Sequence, residues 1–195
     1  MSQSKKDLKV VLLGNPNAGK STLFNALTGL NQKTGNYSGV TVDKLQGSFK
    51  YKNNSVSLID LPGTYSLFAK STDEEVAVKD LLSQTERPDV VVIVLDSTNL
   101  QRNLLLATQA LDLGMRTVVV LNMIDEAIYQ NIHIDIEKLK DLLGTNVVAI
   151  DSRTKEGTEK IKEAIVNAEV SKNKFFDLTS TSDYAQMVNS QFESP

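Results

Sequence analysis

The chain has 195 residues, 41% of them hydrophobic and 23% charged, with a formal net charge of −3; this suits one medium soluble domain with a real core and gives no global attraction to nucleic acid. It has no cysteine and one histidine, His133, which removes disulfides and thiol chemistry and argues against a histidine-based metal site, leaving oxygen ligands, lysine and backbone groups. "MSQSKKDLKV" is too polar for a secretory leader, and the longest apolar run, "VVVIVL" at 90–95, is too short to cross a bilayer, so the expectation is a soluble, cytosolic chain.

Apolar runs rich in valine and isoleucine recur at 9–13, 55–59, 90–95, 117–121 and 147–150, separated by stretches that read as helices. Between the first two runs, "VDKLQGSFKYKNNSVSLID" reads as a hairpin about Lys52-Asn53-Asn54. The alternation predicts an α/β fold with a mostly parallel six-stranded sheet, one antiparallel strand and helices on both faces. Ser71 and Glu74 read as a capping box opening a helix, with Asp73, Glu74 and Glu75 as first-turn carboxylates facing its dipole. Gly114 and Gly144 stand where helices stop, and a last helix over about 157–168 carries Ile161, Ala164, Ile165 and Ala168 on one stripe. The pattern fades after residue 169. The expected division is a nucleotide-binding domain at 1–169, then a tail, linker or start of a helical unit at 170–195.

Three stretches carry chemistry. "GNPNAGKST" at 14–22 fits Gly14-x-x-x-x-Gly19-Lys20-Ser21 between a strand and a helix. Glycines there let the amides of Asn15, Pro16-flanked Asn17, Ala18 and Gly19 approach phosphate oxygens, Lys20 supplies a cation for the β and γ phosphates, Ser21 is placed to ligate Mg²⁺, and Thr22 follows at the helix N-terminus. "LIDLPG" at 58–63 ends a buried strand; Asp60 can reach the metal through a water, and Leu61-Pro62-Gly63 brings a backbone amide to the γ-phosphate. "VLNMID" at 120–125 ends another parallel strand. There Asp125, an acceptor-only carboxylate, suits the ring N–H and exocyclic amine of guanine, while Asn122 ties this loop to the phosphate loop and Met123 lies against the base. "DSRTKEG" at 151–157 is the least specific, able to place the Ser152 or Arg153 amide on the guanine carbonyl.

This ordered set resembles the Ras-like P-loop GTPase superfamily. With "GNYSGVTVDKLQGSF" at 35–49 and "DLPGTYSL" at 60–67, residues 8–168 look like the cytosolic G domain of the bacterial ferrous iron transport protein B family. The resemblance implies a domain that binds GTP and GDP with Mg²⁺, hydrolyses GTP slowly and regulates a membrane permease at the cytoplasmic side of the bacterial inner membrane, with the permease helices outside these 195 residues. Gly39-Val40-Thr41 would then be the first switch, Thr41 reaching Mg²⁺ and the γ-phosphate when GTP is bound. Asn17, Lys20, Thr41 and Gly63 would form the catalytic set. The resemblance also implies a potassium ion held by Asn17 and by backbone carbonyls near Gly35 to Tyr37, in place of an arginine finger. From the residues alone, Asn17 is equally a turn former that tolerates a left-handed conformation.

Thr64 stands where other GTPases carry a water-orienting glutamine, which predicts slow turnover; Met123 replaces the lysine of Asn-Lys-x-Asp, which predicts faster GDP release. His133 reads as a surface histidine, and Tyr37 and Tyr65 as single exposed aromatics within the two switches, taken as 29–42 and 61–72. An RNA-linked GTPase of the same branch and a GTP-dependent interaction module are the alternatives. No nucleic-acid partner is expected, and the homo-oligomeric state is left open.

Overall fold

A computed structural model describes residues 7–29, 32–37, 43–82, 87–151 and 157–176. Gly39, Val40, Thr41, Ser152 and Arg153 lie outside the described residues, as does the chain after Phe176.

Among the described residues, eight strands form one sheet. They are β1 (Asp7–Gly14), β2 (Gln32–Asn36), β3 (Asp43–Tyr51), β4 (Asn54–Asp60), β5 (Val90–Asp96), β6 (Arg116–Asn122), β7 (Asn146–Ala149) and β8 (Glu169–Val170). The order across the sheet is β2-β3-β4-β1-β5-β6-β7, and β8 pairs with β6. The pairs β1–β4, β1–β5, β5–β6 and β6–β7 are parallel, whereas β2–β3, β3–β4 and β6–β8 are antiparallel. The helices are α1 (Lys20–Thr28), α2 (Thr72–Leu82), α3 (Leu100–Asp112), α4 (Ile124–Tyr129), α5 (Ile136–Leu143) and α6 (Thr158–Val166).

The expected α/β sheet is present, and the hairpin turns at Lys52-Asn53, with Tyr51 paired to Asn54. Two short strands add to it. β2 reads Gln-Lys-Thr-Gly-Asn, without apolar alternation, and the side chains of 33–36 lie exposed at the edge of the sheet. β8, only two residues long, closes the opposite side against Arg116 and Thr117.

The central strands read as unbroken apolar runs because both of their faces are covered. Val11 and Leu13 of β1, Ile93 and Leu95 of β5 and Val119 and Leu121 of β6 join α2, α3 and α5 in one core. The alternate residues Val10, Leu12, Val92, Val94, Val118 and Val120 face α1 and α6 in the other. Ile161 and Ile165 are fully buried in that second core, as the stripe predicts. The helix stops hold: Gly144, at φ +62°, caps α5, and Gly114, at φ +66°, follows α3.

The Ser71 hydroxyl accepts from Glu74 N at 3.4 Å, half of the expected capping box. The Glu74 carboxylate does not complete it; it accepts instead from Lys70 N at 2.7 Å and Tyr65 N at 3.4 Å. At the other end, the described chain keeps packing past residue 169. Ser171 Oγ donates to Leu143 O, the Asn173 side-chain amide donates to Asp141 O and Leu142 O, and the Asp112 carboxylate accepts from the amides of Phe175 and Phe176 at 3.0 and 2.9 Å. No helix among the described residues is long and apolar enough to cross a membrane.

Candidate nucleotide site

Parallel register brings four strand ends to one edge of the sheet. Leu12 pairs with Asp60, Gly14 with Val94, and Asp96 with Asn122. The crevice beyond the carboxyl ends of such strands is where open α/β sheets take ligands.

The loop from Gly14 to Ser21 turns sharply because Asn17 and Gly19 adopt left-handed backbone, at φ +65° and +87°. Asn17 is thus the turn former that its residue type allows, with an exposed side chain. Gly19 is also a close approach: a Cβ there would lie 2.0 Å from Asn122 Nδ2. That Asn122 amide, 2% exposed, donates to Ala18 O at 3.0 Å and ties the end of β6 to the loop. Met123 follows at φ +58°, its Cε 3.7 Å from the same Gly19 position, so its thioether lies over the loop. Asp125 stands in the first turn of α4.

On the other flank, Leu61 N donates to Leu12 O and Thr64 N to Gly14 O. A Cβ on Gly63 would lie 2.9 Å from Pro16 Cα and N, so the 60–63 stretch is fitted against the phosphate loop. Asp60 is brought to Ser21, whose hydroxyl donates to Asp60 Oδ2 at 2.9 Å. Asp60 Oδ1 is buried with no hydrogen-bond partner among the described residues. Burial pushes the Asp60 carboxyl above its ordinary range, opposed by the Lys20 ammonium and the Ser21 bond. Burial lowers Lys20 in turn, with Asp60 opposing; its Nζ donates to Asn15 O at 3.5 Å. The Asn15 side-chain amide is buried, and neither of its polar atoms has a partner among the described residues.

A buried carboxylate oxygen without a partner, a hydroxyl beside it and a desolvated ammonium are an incomplete set of charges. The donor set suits Mg²⁺, which takes hard oxygen ligands and is completed by phosphate oxygens.

Two readings from the sequence change. Tyr37 is 8% exposed, not an exposed aromatic: its ring joins the α2 and α3 core, Lys44 Nζ lies 4.9 Å from the ring centroid, and Lys44 pairs with Asp80 of α2 at 3.8 Å. Burial pushes the Tyr37 hydroxyl well up, with Asp80 and Asp60 adding to the effect. Glu74 is more than a dipole-facing carboxylate, since it gathers the backbone of 65–70. His133 is exposed, as expected. Sequence reasoning missed Gln109 and Arg102 of α3, which reach the stretch after Gly63; no local signal marks either residue.

A phosphate loop after the first strand, an aspartate ending β4 and Asn-x-x-Asp closing β6 on a largely parallel sheet define the P-loop G-domain class. The family model described as ferrous iron transport protein B matches residues 8–165, and the chain belongs to that family. The Fe(2+) transporter FeoB of Leptospira biflexa is 44% identical over 164 residues, covering 84% of this chain but 24% of its own length; the chain thus spans about a quarter of this curated relative. The cytosolic domain of L. pneumophila FeoB superposes with a TM-score of 0.82 at 38% identity, covering 93% of this chain and 77% of that one. The T. maritima FeoB G domain gives 0.77 at 44% identity, covering 83% of this chain and 98% of that one. The T. maritima cytosolic domain, solved in a GMPPNP form, gives 0.79 at 43% identity, with 88% and 67% covered.

Proposed function

We propose that this chain binds GTP and GDP with Mg²⁺ between residues 14–22, 60–63 and 122–125, hydrolyses GTP slowly and regulates a ferrous iron permease that lies outside these residues, at the cytoplasmic side of the membrane. The observation that carries the reading is the incomplete charge set at Lys20, Ser21 and Asp60, in a cradle that side chains at positions 19 and 63 would fill. The GMPPNP form of the T. maritima relative supports the class of ligand.

Amides of the 14–20 loop and the Lys20 ammonium grip the phosphate oxygens. Ser21 and, through a water, Asp60 would hold Mg²⁺, which would supply charge neutralisation at the phosphates. Asp125 accepts the two hydrogens that distinguish guanine from adenine, and Ser152 or Arg153 would offer an amide to its carbonyl. Thr41, with Gly39 and Val40 before it in the first switch, would reach the metal and the γ-phosphate when GTP is bound. Gly63 directs its amide at the γ-phosphate. Thr64 offers no help to an attacking water, because it is fully buried and its hydroxyl donates to Ser66 O at 2.7 Å. Backbone groups must therefore do the positioning, and turnover is slow. Asn17, with carbonyls near Gly35 to Tyr37, would hold a potassium ion that offsets transition-state charge.

GTP turnover in potassium, sodium and cation-free buffers tests this. Potassium raises the rate, and Asn17→Ala abolishes the rise; a potassium response retained in the variant rejects the role given to Asn17.

A further inference from the structure

We propose that Gln109, in the body of α3, is a positioning residue for GTP hydrolysis: it fixes the backbone after Gly63 by accepting from the Leu67 amide. This rests on the hydrolase reading above and names what holds its working backbone in place. On the upstream side, the 61–64 stretch is tied to β1 through Leu61 N to Leu12 O and Thr64 N to Gly14 O. Downstream it has no strand to pair with. The hold comes instead from side chains of two helices.

Gln109 Oε1 accepts from Leu67 N at 2.8 Å, across 42 positions of sequence. Gln109 is 4% exposed and the Leu67 side chain is fully buried, packed in the same core as Leu106 and Ala110 of α3. A glutamine on the apolar side of a helix is costly to bury unless its amide is used. Here the amide oxygen meets a loop amide that would otherwise stand unpaired. The Arg102 guanidinium, two turns earlier on α3, lies 4.1 Å from the centroid of the Tyr65 ring, and Glu74 of α2 takes the amides on either side, Tyr65 and Lys70. Of these holds, the Gln109 bond is the buried one. With the Thr64 hydroxyl turned to Ser66 O, hydrolysis depends on where the 63–65 backbone stands, and a displacement of a fraction of an ångström there lowers the rate without touching the grip on base or phosphates.

The test is single-turnover GTP hydrolysis, with affinity for a fluorescent GDP analogue measured beside it, on the whole chain. Gln109→Met keeps length and loses the acceptor: the rate falls about tenfold while nucleotide affinity stays within about twofold. Gln109→Glu keeps an acceptor oxygen and holds the rate within about threefold of the native protein. Asp112→Asn, one turn further along α3 and equally buried, weakens the contact with Phe175 and Phe176 and leaves the rate unchanged, separating positioning from the general integrity of the helix. The proposal is overturned if Gln109→Met hydrolyses at the native rate, loses affinity in proportion to rate, or is matched in slowness by either of the other variants. Hydrogen exchange on the native protein checks it without any variant: the Leu67 amide exchanges at least about a hundredfold more slowly than an open peptide with GDP or GMPPNP bound, and exchange at the open-peptide rate overturns it. A native protein that hydrolyses no GTP sinks the hydrolase reading itself, whereas hydrolysis indifferent to Gln109 sinks this inference alone.

Discussion

The two stretches that bracket the β3–β4 hairpin are held in different ways. Residues 32–36 form β2 and, among the described residues, pair with β3 at the edge of the sheet, with the side chains of 33–36 exposed; Tyr37 then folds inward as a buried anchor whose hydroxyl has no hydrogen-bond partner among the described residues. Residues 61–70 form no element, yet they are bound to β1 on one side and to α2 and α3 on the other through Glu74, Gln109 and Arg102. Loops bonded to this extent are preset, and loops held by one edge are the ones a ligand can re-form at small cost. Regular secondary structure is thus a poor guide to which segment is fixed: here the strand is the lightly held segment and the irregular loop the firmly held one.

Leu67→Ala has the largest expected effect. Removing a fully buried leucine from the 61–70 stretch costs about 2–5 kcal/mol, read from urea unfolding; a loss near zero would mean that the loop is not anchored where the core says it is. A matched pair of glycine substitutions sharpens the comparison. Gly63→Ala drives a methyl onto Pro16 backbone atoms at 2.9 Å and costs about 1–3 kcal/mol, with loss of nucleotide binding. Gly35→Ala meets no atom of the described residues within 4 Å and changes stability by no more than about 0.5 kcal/mol. Equal costs at the two positions would erase the distinction between the segments.

Much of the site was legible because its signals are local. Gly14, Gly19, Lys20 and Ser21 sit at fixed spacing across one strand-to-helix turn, and Asp60 and Asn122 end apolar runs that only parallel strands explain. Gly114 and Gly144 likewise mark helix ends by their own backbone demands. What escaped depends on partners far along the chain. β2 has no pattern of its own and exists because β3 offers an edge. Tyr37 reads as exposed from its polar neighbours, and its burial follows from α2 and Lys44. Gln109 looks like a polar lapse in an amphipathic helix until Leu67 is placed beside it. The anchoring of Phe175 and Phe176 by Asp112 is of the same kind: a backbone bond to a carboxylate more than sixty positions away leaves no trace in spacing or composition.

Titration calorimetry with Mg²⁺, comparing GDP and GMPPNP with ADP and AMPPNP, tests the central claim most directly. The account predicts binding of both guanine nucleotides and adenine affinities weaker by at least about a hundredfold, since Asp125 would face an acceptor on adenine where guanine presents a donor. Equal heats from the two bases, or no heat from any of the four, would contradict it.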